Sequence, residues 1–146
     1  MTRICIDASL VLLWLIPQKH SQQAEDIWES WRGKKVELIA PPLILAEVTS
    51  ILRKRVFHGQ ISPEIGEELF KIFCDLNFRV VYSDDLHVEA WDLAKIFNLP
   101  KVYDMHYVAL AKMEECELWT GDNRLVNATK GKFKWVKYIG DYSINK

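Results

Sequence analysis

Short apolar runs alternate along the chain with longer stretches in which apolar residues return every three or four positions. Residues 3–7, 36–39, 79–82, 117–120 and 134–138 have the length and composition of strands. The intervening stretches have helical periodicity. A short helix is expected over 9–16. Ser21 can cap a second, with Ala24, Ile27, Trp28 and Trp31 on one face. Pro41-Pro42 opens a third that runs to about Phe57 and is closed by Gly59. Ser62-Pro63-Glu64 starts a fourth, whose apolar stripe is Ile65, Leu69, Ile72, Phe73 and Leu76. Two more are expected over 85–97, ending before Pro100, and over 104–115. Strands separated by helices predict an α/β fold in which a parallel sheet is covered on both faces. No repeat, linker or change of composition divides the 146 residues, so a single domain spanning 1–146 is expected.

Composition narrows the classes. With 49% hydrophobic and 27% charged residues the chain resembles an ordinary soluble globular protein. Cys5, Cys74 and Cys116 are scattered and show no metal-ligand spacing, which suits small core thiols in a reducing, cytoplasmic setting. The apolar stretch 9–16 is too short to cross a membrane, and no basic segment precedes it as in a signal peptide. A net charge of −1 argues against a strongly basic nucleic-acid binder. It leaves room for local basic patches at Arg53-Lys54-Arg55 with His58, and at Lys130, Lys132, Lys134 and Lys137. A solvated charge run is the commoner meaning of either.

Four carboxylates change the picture. Asp7 and Asp122 end apolar strands, Asp104 opens a helix, and Glu47 interrupts an apolar helical face among Leu43, Ile44 and Ile51. Each has an ordinary explanation. Asp7 and Asp104 can cap helices, Asp122 can start a turn, and Glu47 can favour a helix amino terminus. Needing all four explanations at once weakens them. In open parallel sheets the ligand crevice lies beyond the carboxyl ends of the strands, where strand order reverses. If the strands ending in Asp7 and Asp122 are neighbours, their carboxylates share that crevice. A buried unpaired carboxylate costs several kcal/mol, roughly, unless it is neutralised, paired or bound to metal. An all-oxygen donor set without His or Cys suits Mg²⁺ or Mn²⁺ rather than Zn²⁺. Such ions hold phosphodiesters and activate water. Ser9, Thr120 and Asn123 are small polar neighbours that can support the ligands or touch a phosphate, and Arg124 is a phosphate contact or a surface residue. His106 is expected to be an exposed helix residue or a substrate contact rather than a ligand, and Trp14, Trp28 and Trp31 to be core or subunit-interface residues.

Several segments together resemble the PIN-domain ribonucleases, in particular the VapC toxins of VapBC toxin–antitoxin pairs. They are Ile4-Cys5-Ile6-Asp7-Ala8-Ser9; 41–52 with Glu47; Val102-Tyr103-Asp104-Met105-His106-Tyr107-Val108-Ala109-Leu110-Ala111; and Cys116-Glu117-Leu118-Trp119-Thr120-Gly121-Asp122-Asn123-Arg124-Leu125. The resemblance implies an α/β/α sandwich with a parallel sheet of about five strands, and a Mg²⁺- or Mn²⁺-dependent endoribonuclease. Asp7, Glu47, Asp104 and Asp122 fall on the family's acidic quartet, and Thr120 on its small hydroxyl position. The resemblance also implies a homodimer inhibited by a cognate antitoxin protein. Some relatives carry a further acid just after the last aspartate, where Asn123, Arg124 and Leu125 stand here. Two other readings compete. One is a PIN-like module that binds RNA or protein without cutting. The other, a phosphatase on a similar sheet, would want an aspartate where Ser9 stands.

Overall fold

All five apolar runs form strands, and every pairing between them is parallel. The computed structural model describes residues 2–129 and 131–144; Lys130 of the C-terminal basic run lies outside them. Along the chain come β1 (Arg3–Ile6), α1 (Ala8–Leu15), α2 (Ser21–Gly33), β2 (Glu37–Ala40), α3 (Leu43–Phe57) and α4 (Pro63–Asp75). There follow β3 (Arg79–Val80), α5 (Leu86–Ile96), α6 (Tyr103–Met113), β4 (Glu117–Thr120), α7 (Asn123–Ala128), β5 (Val136–Tyr138) and a 3₁₀ turn at Ile139–Asp141. The spatial order is β3-β2-β1-β4-β5. The chain builds outward from β1 to β3, then returns to lay β4 on the other side of β1, with Cys5 opposite Leu118. Strand order therefore reverses between β1 and β4.

Burial explains this order. Ile4, Cys5 and Ile6 are all buried, as both faces of a central parallel strand require. Both residues of β3 are exposed, in keeping with its edge position. Helices α1 to α4 pack on one another, while α5 packs on α6 and α6 lies over β1 and β4. The Cys5 thiol donates to the Tyr107 carbonyl of α6 at 3.7 Å. Trp14, Trp28 and Trp31 pack inside the fold: Trp14 meets Trp28 edge-on at 4.6 Å and Trp31 at 6.3 Å, and Trp31 continues to Trp119 of β4.

Several boundaries differ from the sequence expectation for local reasons. Ser62 caps α4 as expected, its hydroxyl accepting from the Ile65 amide. Ser21 does not cap α2. It is the first residue of the helix and its hydroxyl accepts from the Gln18 amide in the preceding loop, while His20 takes the cap position at φ 74°. Only Phe73 of the predicted α4 stripe is fully buried; Ile65 and Ile72 are exposed. Helix α6 begins one residue earlier than expected, so Asp104 stands inside its first turn and Val102 takes the cap position. Helix α7 was not expected at all. Six residues are too few to show a periodicity, and Asp122 announces it only as a turn residue.

The turn from β4 into α7 is tightly seated on α1. A β-carbon at Gly121 would lie 2.9 Å from the Leu13 methyl and 3.0 Å from the Ser9 carbonyl oxygen. Gly121→Ala is expected to destabilise the protein by about 1–3 kcal/mol through overpacking, read as a lowered urea midpoint at unchanged m-value.

Candidate active site

Asp7 is the last position before α1 and caps it: Oδ1 accepts from the Leu10 amide at 2.9 Å. The capping reading and the crevice reading are thus both true of the same carboxylate. Only 5% of the residue is exposed. Two hydroxyls complete its surroundings, Ser9 donating to Oδ1 at 2.7 Å and Thr120 donating to Oδ2 at 2.5 Å. Each hydroxyl also accepts from the backbone beyond β4, Ser9 from the Gly121 amide at 2.8 Å and Thr120 from the Asp122 amide at 3.0 Å. Asp7 is thereby tied to the strand end that carries Asp122. Burial pushes its pKa up to about 6; the three hydrogen bonds oppose that rise, and the neighbouring charge of Asp104 adds to it.

Glu47 lies on the second turn of α3, half-buried, and reaches across to α6. Its Oε1 accepts from the Tyr107 hydroxyl at 2.5 Å. Partial burial raises the Glu47 pKa, Tyr107 lowers it, and Asp104 raises it further. Burial also holds the Tyr107 phenol protonated, with Glu47 adding to the effect. Tyr107 was given no role from sequence. A signal existed: it sits three residues after Asp104 in an otherwise aliphatic stretch, and a buried tyrosine needs a partner for its hydroxyl.

Asp104 is on the surface, and among the described residues its carboxylate has no hydrogen-bond partner. Crowding by surrounding atoms raises its pKa and Asp122 adds to the rise, while Arg124 lowers it. Asp122 caps α7 by accepting from the Arg124 amide at 2.9 Å. The Arg124 guanidinium, itself exposed, straddles both oxygens of Asp122, with Nη2 to Oδ2 at 2.9 Å and Nε to Oδ1 at 3.1 Å. This pairing holds the Asp122 pKa below its ordinary value. Asn123 is exposed at the start of α7. His106 is part-buried, and its Nδ1 lies 2.8 Å from the Val102 carbonyl oxygen one turn back.

The four acids therefore share one electrostatic neighbourhood at the carboxyl ends of β1 and β4, with Asp104 felt by both Asp7 and Glu47 and Asp122 felt by Asp104. Their oxygens do not converge as the side chains stand: among the described residues no group of three or more acids, histidines or cysteines is close enough to hold one ion. Two of the four are engaged elsewhere, Glu47 by Tyr107 and Asp122 by Arg124. The chemistry of the set still fits a hard divalent cation, because all donors are oxygen and three of the four carboxyls have pKa values raised by burial and mutual repulsion. A concavity of about 790 Å³ beside Arg3, Glu114, Cys116 and Trp135 lies at the opposite, amino-terminal edge of the strands. The acids occupy the edge where parallel sheets bind ligands.

The raised Asp7 pKa has a definite sign for stability. The folded state binds this proton more tightly than the unfolded chain between about pH 4 and 6. Stability therefore falls as pH rises through that window and stays lowered above it, by up to about 3 kcal/mol. Asp7→Asn should remove this dependence and raise the urea midpoint of the metal-free protein at pH 8 but not at pH 4. A smaller change is expected for Tyr107→Phe: a loss of about 1–2 kcal/mol and, by NMR titration, a further rise of the Glu47 pKa.

The sequence matches the PIN domain model over residues 4–131. No curated protein matches it. Among solved structures, VapBC2 of Rickettsia felis bound to a DNA fragment from its promoter superposes with a TM-score of 0.68 at 13% identity, covering 94% of this chain and 97% of that one. VapC20 of Mycobacterium tuberculosis, a sarcin–ricin loop cleaving toxin, gives 0.66 at 16% identity, with 92% and 98% covered. FitAcB of Neisseria gonorrhoeae gives 0.55 at 18%, with 92% and 95% covered. At these identities the likeness is one of fold. The family match, spanning most of the chain, settles the classification, and the protein belongs to the PIN domain family.

Proposed function

We propose that this PIN domain, as a single unit over residues 1–146, is a Mg²⁺- or Mn²⁺-dependent endoribonuclease and the toxin of a type II toxin–antitoxin pair. In this reading it works in the cytoplasm as a homodimer restrained by a cognate antitoxin protein. The observation that carries the nuclease reading is the buried, hydroxyl-supported Asp7 at the reversal of strand order, within electrostatic reach of the unpartnered Asp104. The likeness to VapC20, a toxin that cleaves RNA, and to the VapBC2 complex supports the substrate class and the kind of partner.

Asp7, Glu47, Asp104 and Asp122 would hold the cation, which when bound polarises the phosphodiester and lowers the pKa of attacking water. Ser9 and Thr120 fix Asp7 in one orientation, so little side-chain freedom is lost when it takes up a ligand. Tyr107 does the same for Glu47. Asp104, which accepts no hydrogen bond among the described residues, would give up no partner on taking a ligand. Asp122 would bring its paired Arg124 to the site, where the guanidinium could meet a phosphate.

Purified protein is expected to cleave single-stranded or structured RNA with Mg²⁺ or Mn²⁺ and to lose that activity in EDTA. Asp7→Asn should abolish cleavage, and Thr120→Val should lower it by roughly 10–100-fold. Cleavage should rise with pH as Asp7 ionises, with a limb at or below about pH 6, because a bound cation favours the ionised form. Cutting that persists in EDTA would reject the metal requirement. RNA that is bound and never cut by the wild type would favour the binding-module reading, to which the Asp122–Arg124 pairing lends some weight.

A further inference from the structure

We propose that the exposed face of α3, from Ser50 to His58, is the landing surface for the single-stranded RNA that flanks the scissile bond. This assignment rests on the nuclease reading above and extends it to the substrate's path. An open furrow of about 660 Å³ runs along the helix past Leu45, Thr49, Ser50, Arg53, Lys54 and Phe57. Two of its residues, Ser50 and Lys54, are three and seven positions beyond Glu47 and so lie along the same side of α3 as that acid. Lys54 is thus about 10 Å along the helix axis from Glu47, within reach of a nucleotide next to the cleaved one.

The cations on this face are uncommitted, unlike the five that make ion pairs. Arg3, Arg32, Arg79, Lys112 and Arg124 each contact a carboxylate. Arg53 and Lys54 are exposed and, among the described residues, make no ion pair; no carboxylate lines their furrow. An acidic centre repels phosphates, so a polyanionic substrate needs uncommitted cations close by. Past the cations, Phe57 is 73% exposed and meets the His58 ring edge-on at 5.2 Å. A large aromatic ring facing water at the end of a basic furrow is the arrangement on which unpaired bases stack. Hydroxyls of Thr49 and Ser50 add donors one turn ahead of the cations. A protein segment docking here would have to desolvate two unpaired cations, which disfavours it relative to a phosphate chain.

The test uses the full chain carrying Asp7→Asn, in EDTA so that RNA stays intact, and a labelled short single-stranded oligoribonucleotide followed by fluorescence anisotropy at several salt concentrations. Adding Arg53→Ala with Lys54→Ala should weaken binding ~10-fold at low salt and reduce the slope of log affinity against log salt by about 1.4, two phosphate contacts at ~0.7 each. Phe57→Ala should weaken binding ~5-fold or more with the slope unchanged. Circular dichroism and the urea midpoint check that each variant is folded. Undiminished affinity and slope in folded variants would overturn the assignment. So would an α3 variant that binds RNA normally and instead loses self-association or capture of a partner protein. Wild-type protein that binds RNA through α3 and cuts none would keep this surface and reject the nuclease reading.

Discussion

A carboxylate has been put where water scarcely reaches, at the one strand end that both halves of the sheet share. Asp7 is buried between β1 and α1, and the fold must hold it there against the cost of desolvating its charge. Two hydroxyls and one amide do this, and they are not local decoration. Ser9 passes the Gly121 amide's hydrogen bond on to Asp7, and Thr120 passes on that of Asp122. The same atoms that make the burial tolerable thus lock the last strand built in the centre of the sheet to the first. Burial of the charge and the geometry around it are here a single network.

Sheet topology explains why Asp7 and Asp122 come to neighbouring strand ends although they lie far apart in sequence. Parallel strands place all their carboxyl ends on one edge, and the return of the chain from β3 to β4 puts two acid-bearing ends side by side. Glu47 arrives by a different route, from a helix on one layer reaching a tyrosine on the other.

Much of this was legible in the chain. Strand and helix order followed from the alternation of apolar runs and periodic stretches, and the parallel sheet from that order. Asp7 and Asp122 stood out as candidates because a charge at the end of an apolar strand is anomalous. Asp104 taken alone looked like an ordinary helix cap, and the structure shows that it caps nothing. What stayed hidden depends on contacts between remote residues. No local pattern pairs Tyr107 with Glu47, separated by 60 positions. Arg124's grip on Asp122 was equally hidden, because two residues apart on a helix would point them away from each other, whereas Asp122 sits at the cap and not within the helix.

The amino-terminal edge of the sheet makes an instructive contrast with the acidic one. Arg3, Glu37 and Arg79 open three adjacent strands and are joined by ion pairs, and Arg3 also reaches Glu114 ahead of β4. Charge at that edge is cancelled within the protein. At the other edge Arg124 pairs with Asp122, and Asp7, Glu47 and Asp104 make no ion pair among the described residues. A chain whose formal charge is only −1 is therefore electrically lopsided along its strands. Small cations in solution are drawn to one pole of the molecule before any ligand geometry is formed, and added salt weakens that attraction.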